Sequence, residues 1–212
     1  RYDGTEPDMA FGRFPDGSNR LASLESATRG RPNARPHVGD IVINEIMYQH
    51  AMRDEIFEYV ELYNRGAGAI AIGGWTLSDA IDFTFPDGLV MAPRSYLVVA
   101  KDPAYLAAVY GNLTAGVDLV GPYQGNLGDH SERIRLSYPL TQLNPTTGRT
   151  ETAMVTADEV TYCDGGRWPA WADGMGASLE LRDPRSDNDT PDAWADSDES
   201  GKTFWKPFSF TI

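Results

Sequence analysis

The densest set of chemistry-bearing residues runs from Asp183 to Glu199, where seven carboxylates stand beside a single arginine. Hard cations seek clustered oxygens, and calcium takes about six to eight of them from Asp, Asn and backbone carbonyls. Asp187, Asp189 and Asp192 are the ligands such a site would use, with calcium as its cofactor. The spacing is not that of an EF-hand, because no Gly follows Asp189 and no Glu occupies the distal position. The competing reading, which the residues favour, is a solvated acidic loop in which Asp192 caps a short turn and Trp194 packs back onto the domain.

Other sets are weaker. Asp129-His130-Ser131 holds the three residue types of a hydrolase triad, but a triad converges its side chains in space, whereas neighbouring residues of a strand or turn diverge. His37 and His50 stand alone, with no zinc-ligand spacing around them. Glu58 with Glu61, and Asp79 with Asp82, have the residue types of glycosidase acid/base pairs but no evident cleft to serve. No catalytic residue is assigned. Aromatic platforms offer another route to function, since flat exposed rings receive sugars or partner proteins. Trp171, in the loop after Trp168-Pro169, and Tyr123, within Gly121-Pro-Tyr-Gln-Gly125, are the binding candidates. Trp75 and Trp168 read as core residues, and Phe204 and Trp205 as part of a closing strand or a contact with a neighbouring module.

The elements that must position these residues are short strands. Ile41–Tyr48, Glu58–Arg65 and Gly74–Asp79 read as three consecutive strands, with Val60 and Leu62 on one face of the second. Asn64-Arg-Gly66 and Gly73-Gly74 supply turns. Leu97-Val-Val99 is a continuous apolar run suited to a central strand, whereas Arg133–Leu136 and Ser178–Leu181 alternate as strands with one wet face do. The one helical candidate is Pro103–Tyr110, with Asp102 as cap and Pro103 in the first turn. Asn144-Pro-Thr-Thr-Gly148 reads as a hairpin tip. Residues 1–37 are rich in Gly, Pro, Asp and Arg and lack a convincing periodic segment.

The order of these pieces resembles the lamin tail domain, an immunoglobulin-like β sandwich. Phe83–Gly88, Ala92–Asp102, Gly125–Leu136, Val160–Tyr162 and Asp173–Leu181 are similar to its middle and last strands, and the likeness runs from about Asp40 to Trp194. The Trp168-Pro169 and Gly176-Ala-Ser-Leu-Glu180 segments are typical of bacterial copies. The resemblance implies an all-β, two-sheet immunoglobulin-like sandwich over 38–212. Residues 12–33 are similar to the ending that closes a preceding unit in bacterial members, which implies that residues 1–37 are a linker or the tail of a preceding module, packed on the sandwich; a disordered leader is the alternative reading, and an extra strand is one form the packing could take.

Composition narrows the partners. The 212 residues carry 31 acidic against 18 basic groups, a formal charge of −13, which repels the phosphates that nucleic-acid binders must neutralise. Cys163 is the only cysteine, so no intrachain disulfide forms. No apolar run is long enough to cross a bilayer as a helix, and the chain reads as a piece excised from something longer. The resemblance, rather than composition, implies a non-catalytic structural and binding module of a large multidomain bacterial surface or secreted protein, mediating domain spacing, protein interaction or adhesion. Its partners would be the flanking domains of the same polypeptide, or a protein or glycan ligand. The alternative is a calcium-dependent carbohydrate-binding accessory module of an extracellular enzyme.

Overall fold

The computed structural model describes residues 9–144 and 147–198. A hairpin comes first, β1 (Ala10–Arg13) against β2 (Leu21–Leu24). The body then begins with β3 (Ile41–Met47), β4 (Tyr59–Asn64), β5 (Ile70–Ala71), β6 (Thr76–Asp79) and β7 (Ile81–Thr84). It continues through β8 (Val90–Met91), β9 (Tyr96–Ala100), helix α1 (Pro103–Val109), β10 (Leu119–Val120) and β11 (Gln124–Gly125). Two long strands, β12 (Ser131–Leu143) and β13 (Thr150–Cys163), precede β14 (Leu179–Leu181) and β15 (Trp194–Asp196).

Two sheets enclose the core. One has the order β10-β9-β4-β3-β14-β15 and the other β11-β7-β6-β12-β13. Alternation decides which side chains meet between them. Val60 and Leu62 of β4, Leu97 and Val99 of β9, Ile134 and Leu136 of β12 and Val160 and Tyr162 of β13 all point inward and are buried. Each such aliphatic side chain contributes about 1.5–3 kcal/mol relative to exposure. The continuous apolar run of β9 has a second cause, because Val98 points the other way. It joins Met47, Tyr59, Ala100, Leu106 and Leu119 in a smaller cluster under α1. That strand is therefore covered on both faces.

Helix α1 starts where capping chemistry places it: the Asp102 side chain accepts the Tyr105 N–H at 2.9 Å, and Pro103 occupies the first turn. The segment after β10 crosses closely over β9. Gly121 has φ +136°, and a Cβ there would lie 2.3 Å from the Ala100 carbonyl oxygen, so only glycine fits.

Among the described residues the N-terminal segment adds no strand to either sheet. It forms the separate β1–β2 hairpin, with Leu24 buried and bridged to Pro36, and Arg20 reaches the body to pair with Asp187 and Asp189. Pro145 and Thr146 of the hairpin tip, and Phe204 and Trp205, lie outside the described residues.

Candidate functional site

The carboxylates fall into three groups, and most serve the fold. Glu58 sits just ahead of β4, two residues before inward-facing Val60, and is buried. Its Oε2 accepts the Tyr123 hydroxyl and the Leu127 N–H, each at 2.9 Å, while Lys101 N–H bonds to its backbone oxygen. Burial outweighs these bonds and raises its pKa. Tyr123 is thus 2% exposed and fixes the segment between β10 and β12. This corrects its assignment as a binding platform: its ring lies in the core, and its polar end is occupied by Glu58.

Glu45 and Asp158 act in the same way. Glu45 accepts the Tyr59 hydroxyl at 2.5 Å and the Ser178 hydroxyl. Asp158 of β13 reaches across to the opposite sheet, where its Oδ2 accepts the Ile43 N–H and the Asn188 side-chain N–H, both at 2.7 Å. Desolvation dominates these hydrogen bonds and pushes its pKa up to about 7. Arg65, a conceivable partner for the glutamates, instead donates to the backbone oxygens of Val38 and Gly39.

The acidic loop is neutralised by arginines. Asp187 and Asp189 both pair with Arg20, the second at 3.1 Å, and Asp192 pairs with Arg167 at 2.6 Å. Asp192 stands in the first turn of a short 3-10 helix (Pro191–Ala193) whose cap residue is Thr190. Of the three proposed calcium ligands, Asp187 and Asp189 therefore share the Arg20 guanidinium, and Asp192 faces Arg167. Among the described residues no group of three His, Cys, Asp or Glu side chains could hold a metal ion. Asn188, within the same run, turns inward to Asp158, and Trp194 is buried with its indole N–H on the Asn188 carbonyl at 2.7 Å. Asp79 likewise pairs with Arg133, at 2.9 Å.

Asp129-His130-Ser131 does not converge. The Ser131 hydroxyl donates to the Tyr162 carbonyl at 2.9 Å, and His130 Nδ1 bonds Asp164 at 2.8 Å. That bond favours the charged imidazolium and raises the His130 pKa, while lowering that of Asp164.

One end of the sandwich remains chemically unspent. Three loops meet there: 48–54 after β3, 128–131 before β12, and 163–176 after β13. Asp164 N–H donates to the His130 carbonyl, and Gly174 N–H donates to the Gln49 carbonyl. Asp196 Oδ1 accepts the Trp171 and Ala172 N–H groups, which holds Trp171 at the surface with 63% of its area exposed. Beneath lie the Tyr48 hydroxyl and Gln49 Oε1, buried and without a hydrogen-bond partner among the described residues. Burial, then the carboxylates of Asp173 and Asp164, raises the Tyr48 pKa. Trp171 was legible as an exposed aromatic; Tyr48 and Gln49 were not, although Tyr48 continues the inward parity of Ile46.

The fold defines the class of domain: an all-β sandwich of two immunoglobulin-like sheets. The Lamin Tail Domain family model matches residues 34–162, more than half of the chain, and the chain belongs to the lamin tail domain family. That family consists of non-catalytic immunoglobulin-like modules. A search among curated proteins found no match. Among the described residues no helix is long and apolar enough to cross a membrane.

Proposed function

We propose that this chain is a non-catalytic structural and binding module of a large multidomain bacterial surface or secreted protein. It spaces and docks neighbouring domains and engages a protein partner. Family membership supports this most directly, together with the likeness of Trp168-Pro169 and Gly176–Glu180 to bacterial copies of the domain. The observation that carries the non-catalytic part is the use made of the buried acids. Glu58 and Asp158 have the raised pKa values that acid/base catalysts show, yet Glu58 Oε2 is engaged by Tyr123 and Leu127 and Asp158 Oδ2 by Ile43 and Asn188. The β1–β2 hairpin, tied to the body through Arg20, is the segment that leads to a preceding module.

Cross-linking of intact cells with a reagent that does not cross membranes tests the reading. The expected result is linkage of this module to other segments of its parent polypeptide or to a neighbouring surface or secreted protein. Reaction only after lysis would overturn it.

A further inference from the structure

The loop end holds three features that stability does not explain. First, large apolar side chains face solvent. Trp171 is joined by Met52 and Met175, 72% and 64% exposed, on loops that pack together, since a Cβ at Gly176 would lie 4.0 Å from the Ala51 Cβ. Second, Tyr48 and Gln49 are 1% and 6% exposed, yet among the described residues the Tyr48 hydroxyl and Gln49 Oε1 lack partners. A buried polar oxygen left unpaired is destabilising, so the fold keeps two costly atoms here. Third, the surroundings are negative. Asp164 and Asp173 stand on the loop after β13 that carries Trp171, and Asp196 reaches the same loop by accepting the Trp171 and Ala172 N–H groups. The cation bonded to Asp164 is the exposed His130, while Arg167 is engaged by Asp192.

An acceptor oxygen, a hydroxyl and surrounding carboxylates call for N–H donors that carry positive charge. Exposed Trp and Met side chains call for an apolar stem and apolar neighbours. A neutral sugar would use Trp171 and gain nothing from the carboxylates. We infer that this end of the module receives a Lys or Arg side chain borne on an apolar segment of a partner protein. The cationic head sits among Asp164, Asp173 and Asp196, over the buried Tyr48 hydroxyl and Gln49 Oε1, and the flanking residues cover Trp171, Met52 and Met175. This rests on the module reading and gives its partner a chemistry. Charge complementarity makes such an encounter fast and sensitive to salt.

Fluorescence anisotropy of a labelled peptide of alternating Lys and Leu supplies the test, with the full chain at low and high salt. The expected outcome is binding that weakens as salt rises and that falls about tenfold or more in both Trp171→Ala and Asp173→Asn. Glu151→Gln, on the opposite end of the long hairpin, should bind as the parent does. Unchanged melting temperatures in the first two variants would show that they remain folded. The inference is overturned by no binding, by equal binding in all variants, or by displacement of the peptide with a neutral polysaccharide. Absent peptide binding with the intact-cell cross-links preserved overturns this inference alone. Absent cross-links overturn the module reading whatever the peptide does.

Discussion

Replacing Asp158 by Asn should remove a pH dependence that this one carboxyl imposes on the fold. In the folded protein the group holds its proton up to about pH 7, whereas its ordinary value is 3.8. Between these limits the native state binds more protons than the unfolded chain, so stability is greatest at the acid end and declines as pH rises through the folded value. At about 1.36 kcal/mol per tenfold change in proton affinity, the decline amounts to up to about 4 kcal/mol. Asn stays neutral throughout, and its amide oxygen can still accept the Ile43 and Asn188 N–H groups that Asp158 Oδ2 now receives. Urea unfolding of both proteins at steps from about pH 4 to about pH 8 isolates the effect, because the other titrating groups cancel in the difference. The stability of the native protein relative to Asp158→Asn should fall as pH rises. A difference that is flat, or that grows with pH, would refute the argument that desolvation outweighs the hydrogen bonds at this carboxyl.

Two further changes probe the corrected sites. Tyr123→Phe removes the hydroxyl that bonds Glu58 and should lower stability by about 1–2 kcal/mol in thermal melts; an unchanged melt would mean that this bond contributes nothing. Arg20→Ala separates the hairpin from Asp187 and Asp189 and should cost no more than about 1 kcal/mol, because the pair is partly exposed. Melts of the native protein in millimolar calcium and in excess chelator should superimpose. A calcium-dependent rise would show that the arginines do not satisfy the acidic loop.

Periodicity made the sheets legible and also concealed part of their chemistry. Val60, Leu62, Ile134 and Leu136 announce inward faces by simple alternation, and Asp102-Pro103 announces the helix start. The same parity places Glu58 two residues before Val60, and Asp158 two before Val160, on the buried side. Carboxylates are rarely buried, so residue type gave no hint of either placement. Tyr123 was hidden by its Gly-Pro and Gln-Gly neighbours, which look like a surface turn; Val120 and Leu127 on either side are the apolar signal of burial. The pairing of Arg20 with Asp187 and Asp189 spans more than 160 residues. No local pattern encodes a partner at that distance. The unpartnered atoms of Tyr48 and Gln49 become visible only when three loops are brought together.

The strand order has a consequence for how the molecule is made. The family match ends at residue 162, but β3, the third strand of its sheet from the β15 edge, gains its neighbour on that side only from Leu179–Leu181. Trp194, the largest of the fully buried side chains, arrives later still. A chain emerging from the ribosome therefore exposes the apolar edge of β3 for well over a hundred residues of synthesis. Until β14 and β15 appear, that edge is open to any other strand, including that of an identical nascent chain.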